Sequence, residues 1–486
     1  MPAHAHHRTG LVRPFRVTSL SHTDYMPRER VSLAESASFL FLDGNDSLVK
    51  DTKPIRLGTE PYLKLSAFMY SLTNITSLAV PFILKDTLML SPAQVGLFSA
   101  LCTVPSFLKP VWTLIVHQEH RPAVLTTVGA LQTAAHVAVG LAVLKGFATI
   151  PLVCGVMFIH STATSAGMAL RDSMMIESTS ELQSDSEAHF FLSDVSMIQR
   201  VGLLPVSYLS GYLLHFMSPG TVIVGASVFP AVMTIAACFL DSPNNSTETS
   251  LEQLQLALNQ IQNKRNGLMS TVSGRRLLTT FVPSYADAMF YFYTTELGLS
   301  AEFLGRFQFL GSLAGLLGNL VSRHSKDPRR LSNAANFALV PLYGSIILIT
   351  AHVPLGPIPI GSFILFRHFI IDFLNALTTL PSAVQLMKSA PKGAQGTYLA
   401  LTGTLSDLSN VANSILSSAL LSVYGIDSSS FERISEFVAL SVAGTAATLP
   451  YGLFFNSEEI QPRKSKAYIE ELPEDDLQML SPLRDA

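Results

Sequence analysis

DSPNNSTETSLEQLQLALNQIQNKRNGLMSTVSGRR, residues 241–276, is the only long water-compatible interruption in an otherwise apolar chain. Six apolar segments precede it and six follow. A polar linker between two equal hydrophobic halves is the pattern of a membrane transporter made of two pseudo-equivalent bundles. Within it Leu251, Leu254, Leu258 and Ile261 recur at helical spacing and line one face. Two readings fit that face: a short helix resting on the bilayer or on the bundle, and a solvated connector with one amphipathic turn.

Composition agrees with this division. The chain is 48% hydrophobic and 14% charged, against about 25% charged in soluble domains. About 20 apolar residues cross a hydrocarbon core about 30 Å thick, so 486 residues hold many spans and little else. Spans are predicted at 62–84, 93–116, 122–144, 147–170, 190–216 and 219–240, then at 277–298, 301–321, 331–352, 357–380, 395–424 and 431–455. The expected fold class is an all-α membrane protein, twelve transmembrane helices as two six-helix bundles, 61–240 and 277–455. The N-terminal residues 1–60 carry Arg8, Arg13 and Arg16 before the first acid, Asp24, and read either as a transit peptide or as a disordered tail. The acidic tail 456–486 reads as disordered.

Lys and Arg in short loops set orientation. On the linker's side stand Arg121, Arg171, Lys264, Arg265, Arg275, Arg276, Arg323, Lys326, Arg329, Arg330, Lys388 and Lys392, against Lys85, Lys145 and Arg433 on the other. The linker and both termini are therefore expected on the cytosolic side, with the sequons at Asn244 and Asn245 unglycosylated. Plasma membrane and plastid envelope both remain open. The net charge of -3 says nothing about nucleic acid, but no basic patch with interleaved aromatics is present, so nucleic acid is not expected as a partner. Cys102, Cys154 and Cys238 fall inside spans and read as small apolar side chains, so no disulfide, metal or cofactor is expected.

Ionisable residues inside a membrane are costly and mark cavities, partners or proton paths. Lys109, before Pro110, reads as an anion contact or gate pair, or as a lysine snorkelling to the interface. Ser161, Ser165, Met168 and Asp172 share a helical face, with Glu177 beyond it, and the two acids are candidates for gating. Arg200 sits on a small, polar face with Ser193, Ser196, Ser207 and Gly211, suited to a structural ion pair or a carboxylate clamp. Asp287 and Tyr291 share a face within an aromatic run that would sandwich a flat ring or fill the core. His368, Asp372, Asn375 and Thr379 form the most polar stripe, a proton relay or a structural pair, with Arg367 beside it. Asp407 is the single acid on a small-residue face with Gly403, Asn410, Ser414 and Ser417. Glu302 and Arg306 are i, i+4 partners at the start of the eighth span, and Gly311 with Gly315 is a small-xxx-small pair for tight packing.

With these residues placed, the chain resembles the folate-biopterin transporter family, a branch of the major facilitator superfamily. The resemblance rests on LSPAQVGLFSALCTVPSFLKPVW, ALRDSMMIES, RVGLLPVSYLSGYLL, PSYADAMFYFYTTELGLSAEFLGRFQFLGSLAGLLG and APKGAQGTYLALTGTLSDLSN, in order over most of the chain. It implies that Lys109 and Pro110 match the family's Lys-Pro, and Asp172 and Glu177 its acidic pair. It likewise matches Gly305 and Arg306 to the Leu-Gly-Arg opening of the eighth span, and Pro391, Gly393 and Thr397 to the loop entering the eleventh. The chain departs from the pattern at Ile115, Val116, His117, Gln118 and Glu119, where a Ser-Asp pair is usual, and at Gln395, where Glu is usual. The resemblance is therefore to a divergent member.

The function expected is a secondary active transporter for a folate or pterin-like molecule, a proton symporter working by alternating access. Lys109, Arg200, Asp287, Tyr291 and Arg367 are the candidate substrate contacts. Asp172, Glu177, Arg306, His368, Asp372 and Asp407 are the candidates for gating or proton coupling. Alternatives are the same fold carrying S-adenosylmethionine or another organic anion, and a non-transporting receptor or scaffold. A membrane enzyme is disfavoured, because only His368 with Asp372 offers a His-acid constellation.

Overall fold

The computed structural model describes residues 57–116, 120–180, 185–241, 254–259, 278, 280–325, 327–388, 390 and 394–456. The expectations for both tails, most of the linker, the sequons, His117 to Glu119, and Pro391 and Gly393 lie outside these residues.

Among the described residues twelve helical rods follow one another. In chain order they are α1 (Thr59–Thr87) and α2 (Pro92–Ile115), α3 (Arg121–Leu144), α4 (Ile150–Ser180) and α5 (Asp185–Phe216), and α6 (Pro219–Cys238). After the linker come α7 (Ala286–Tyr291, continued by a π-turn over Phe292–Glu296), α8 (Ala301–His324), α9 (Pro328–Gly344 and Ile346–Thr350), α10 (Ile360–Lys388), α11 (Gln395–Val423) and α12 (Ile434–Asn456). Seven of them, α1 to α4, α6, α9 and α10, are long and apolar enough to cross a membrane. Rods α5, α8 and α11 carry the polar residues that face the other half of the protein, which lowers their hydropathy without shortening them.

The two halves repeat each other in detail. Rod α1 ends in a π-turn over Ile83–Thr87, and α7 ends in one over Phe292–Glu296. Then Met89 and Gly298 both take positive φ, 53° and 60°. Ser91 caps α2 and Ser300 caps α8, each accepting from the backbone N–H three residues on. Gly96 and Gly305 follow at the same offset. The same offset, 209 residues, separates Lys85 from Thr294, and these two hydrogen-bond across the halves at 2.6 Å. Residues equivalent by internal symmetry that touch each other lie beside the pseudo-two-fold axis.

The halves meet along two seams, α2 on α11 and α5 on α8. Both need glycine at the crossing. A Cβ on Gly211 would lie 2.2 Å from the Ala301 carbonyl, and one on Gly96 2.3 Å from Ser418 Oγ. On the linker side, Leu57 pairs with the chain after α6: its N–H donates to Phe239 O at 2.7 Å and its carbonyl accepts from Asp241 N at 3.0 Å.

Two sequence expectations shift. The seventh span was predicted from residue 277, but its helix starts at Ala286. Pro283 has no N–H to continue a helix, and the freed backbone is taken up by α11: Ser284 N–H donates to Ser417 Oγ at 2.7 Å, and Asn413 Nδ2 donates to the Val282 carbonyl. Irregular backbone at membrane depth persists only when neighbours satisfy it in this way. In the linker, 254–259 is helical, yet Ala257 is the residue it buries, against Ala394 and Tyr398 of the α11 entrance. Leu256 and Leu258 stay exposed. The small side chain faces in because it lets the backbone approach.

Candidate functional site

Polar side chains gather along the two seams. On the α2–α11 seam, Lys109 Nζ meets Asp407 Oδ2 at 2.6 Å, with both side chains mostly enclosed at 14% and 16% exposure. One charge belongs to each half, so the bond joins the halves. Proline sets its position: Pro105 and Pro110 force a 3-10 turn over Val104–Leu108, and Lys109 opens the α-helix that follows. Asp172 on α4 is exposed, makes no hydrogen bond or ion pair with a described residue, and lies near enough to Arg171 and Lys109 to feel their charges.

On the α5–α8 seam, Arg200 reaches over α8 at Gly315, where a Cβ would lie 2.8 Å from its Nη1. One turn earlier, a Cβ on Gly311 would lie 2.2 Å from Asp372 Oδ2 and 2.6 Å from His368 Nε2. The small pair expected to seat a helix backbone therefore seats charged side chains, Arg200 from α5 and the His368–Asp372 pair from α10. His368 Nε2 and Asp372 Oδ2 are 3.2 Å apart, and the imidazole is stacked on Phe307 with centroids at 3.5 Å. Arg200 forms no hydrogen bond or close ion pair with any described residue, although the Asp372 carboxylate is near enough to act on its charge. A half-buried guanidinium with five donors uncommitted is a ready receptor for a carboxylate.

Asp287 stands in the first turn of α7, beside Gly96 of the other half, and its carboxylate has no hydrogen-bond partner among the described residues. The remaining candidates are placed elsewhere. Tyr291 is 1% exposed, and its hydroxyl donates to the Leu90 carbonyl across the halves, so its ring fills core instead of facing a cavity. Arg367 is buried within the second half, donating from Nε to Leu342 O at 3.0 Å and to Ser345 Oγ at 3.1 Å. There it satisfies the carbonyls freed by the break in α9. Glu177 accepts both Nη groups of Arg121 at 2.6 Å, tying α3 to α4. Arg306 pairs with Glu302 at 2.6 Å on the exposed far end of α8, where an ion pair contributes little.

Sequence reading missed Gln308, which accepts from Ser77 at 2.9 Å and from Ser210 at 3.2 Å and so closes the far side between α1, α5 and α8. It counted Arg121 as a loop charge and missed its pairing with Glu177, and it missed a polar group inside the first half. There Gln132 Nε2 donates to Thr164 Oγ1 at 2.9 Å, and the rings of His136 and His160 meet edge to face at 4.7 Å. The signal was present as i, i+4 polar pairs, Gln132 with His136 and His160 with Thr164, in otherwise apolar spans.

The BT1 family matches residues 72–466 of the chain. A folate-biopterin transporter of Synechocystis sp. is 28% identical over 421 residues, covering 82% of each chain. Folate transporter 2 of Plasmodium falciparum is 24% identical over 384 residues, covering 76% of this chain and 81% of its own. Among solved structures, the nucleoside transporter NupG superposes with a TM-score of 0.57 at 14% identity, covering 81% of this chain and 99% of its own. The human organic anion transporter MFSD10 does so with a TM-score of 0.53 at 13% identity, covering 82% and 97%. Those likenesses show the major-facilitator fold. Matched over most of its length, the chain belongs to the BT1 family and is a multi-pass membrane transporter of a small molecule.

Proposed function

We propose that the protein carries a folate or pterin by alternating access, with protons as the coupling ion and the linker in the cytosol. Similarity to curated folate and folate-biopterin transporters supports the substrate class. The observation that carries the reading is Arg200: an uncommitted guanidinium at the seam between the halves, one helical turn from a His-carboxylate pair. A carboxylate of the substrate would take bidentate hydrogen bonds from it. The His368–Asp372 pair can exchange a proton as its surroundings alternate between water and protein. Lys109 with Asp407 closes the linker side, and Asp287 and Asp172, neither hydrogen-bonded to a described residue, serve as further proton acceptors.

The test is uptake of labelled folate and biopterin into proteoliposomes, with and without an imposed pH gradient. Arg200→Ala is expected to abolish folate uptake while the protein still reconstitutes at the wild-type level. Full uptake by that variant removes the clamp from the mechanism. Asp372→Asn is expected to lose the response to the gradient; an unchanged response removes this pair from the coupling.

A further inference from the structure

A second polar site lies inside the first half, apart from the charged residues of the seams. Between α1, α3, α4 and α6 is a cavity of ≈ 130 Å³ lined by Tyr70, Asn74, Gln132, His136, His160 and Thr164. An engineered cavity of about 150 Å³ accepts one benzene ring, so this one has the size of a single small ring.

Its chemistry differs from the seams, because none of those six side chains carries a formal charge at neutral pH with the imidazoles unprotonated. The hydrogen-bond ledger shows what is left over. Asn74 spends its amide hydrogens on Tyr70 O and Ser71 O, both at 3.2 Å, which leaves Oδ1 to accept. Gln132 spends an amide hydrogen on Thr164 Oγ1, which leaves Oε1. His136 Nδ1 is 2.8 Å from the Gln132 carbonyl and must carry hydrogen to bond it, which leaves Nε2 as an acceptor. Three acceptors with no described partner therefore line one small cavity. Among donors, the Tyr70 hydroxyl reaches only the Met168 sulfur at 3.8 Å, a weak acceptor. The cavity also reaches the seam, since Ser77 lines it and donates its hydroxyl to Gln308 of the other half.

We propose that this cavity is a binding site for an uncharged, single-ring heterocycle with a donor-rich edge, of the 2-aminopyrimidin-4-one type. Such a ring offers adjacent N–H groups to the three acceptors and a carbonyl to Tyr70. The choice of a pyrimidinone rests on the pterin reading above, with the acid end of the substrate at Arg200; the cavity then takes its ring end. The need for an uncharged donor edge rests on the cavity alone.

The probe is free isocytosine, titrated by calorimetry into the purified full-length protein, with toluene as a ring of similar size lacking donors. A ring of this size is expected to bind with a Kd of about 1 mM. Gln132→Met and His136→Phe keep the volume and remove one acceptor each, and each is expected to weaken isocytosine about tenfold without strengthening toluene. A measurement on the wild type guards against a misfolded variant: bound isocytosine should slow modification of His136 and His160 by diethyl pyrocarbonate, read by peptide mass spectrometry. No isocytosine binding, equal binding by the variants, or unprotected histidines overturns the site. Slot-dependent isocytosine binding by a protein that takes up no folate keeps the site and overturns the pterin reading. Folate uptake without ring binding does the reverse.

Discussion

Replacing Asp407 by Asn is expected to open the linker side. At 2.6 Å, the Lys109–Asp407 contact has a gross Coulomb energy of about 6 kcal/mol at an effective dielectric of about 20. Desolvation of both groups offsets most of it. The two side chains keep 14% and 16% of their surface, so we take a net loss of about 2 kcal/mol for the closed arrangement, or about 30-fold in population. The unpaired Lys109 also gains by reaching water, which favours the open arrangement further. The assay places a cysteine at Gly403, whose Cβ would lie 3.9 Å from Lys109 Cδ, in a background where Cys102, Cys154 and Cys238 are Ala. Maleimide labelling should accelerate about 30-fold in Asp407→Asn if closure limits access. Lys109→Met with Asp407→Asn should fall between that variant and the parent, because no buried charge is left seeking water. An unchanged rate in Asp407→Asn, or a double variant faster than the single one, refutes the closing role.

Three further outcomes follow from named geometry. Gly311→Ala drives a methyl into Asp372 Oδ2 and His368 Nε2, so it should lower Tm and folate uptake, at a cost of about 1–3 kcal/mol for overpacking. Gly315→Ala meets only the movable end of Arg200 and should cost less; equal effects would count against the seat described. Met89 is 78% exposed at φ 53°, where its symmetry mate is Gly298, so Met89→Gly should raise stability by about 0.5 kcal/mol as left-handed strain outweighs added chain entropy. A lower Tm would refute it. Outside the spans, Asp427 accepts from Ser429 N and Ser430 N, each at 2.7 Å, and from Ser429 Oγ at 3.0 Å. These bonds hold its carboxyl below the usual range. A depressed folded pKa adds stability that is complete above the unfolded value, about 3.9, and disappears as pH falls through the folded one. Asp427→Asn should therefore lower Tm at neutral pH, with the gap closing below about pH 4; a constant gap would contradict this.

Much of the fold is periodic or compositional, and so it was legible. Runs of apolar residues broken by 241–276 fix the number of rods and the equality of the halves, because bilayer thickness sets the length of each span. Polar stripes such as His368, Asp372 and Asn375 also stand out, since a charge in a span is rare enough to mark a face. What a stripe touches is another matter. Arg367 and Arg200 look alike as lone arginines in spans; one is consumed by carbonyls at a break in α9, the other lies near the Asp372 charge but makes no hydrogen bond with a described residue. Tyr291 reads as a stacking ring or as core, and the structure makes it core, with its hydroxyl taken by Leu90 of the other half.

The sequence by itself determined that this protein spans a membrane as two matched helical halves, since hydropathy, period and length depend only on local residues. Only the tertiary structure decided that Lys109 meets Asp407, that Gly311 and Gly315 seat side chains, and that Gln132, His136 and His160 share a cavity. Each of these joins residues from different rods, and the crossing of two helices depends on which small residues let them approach.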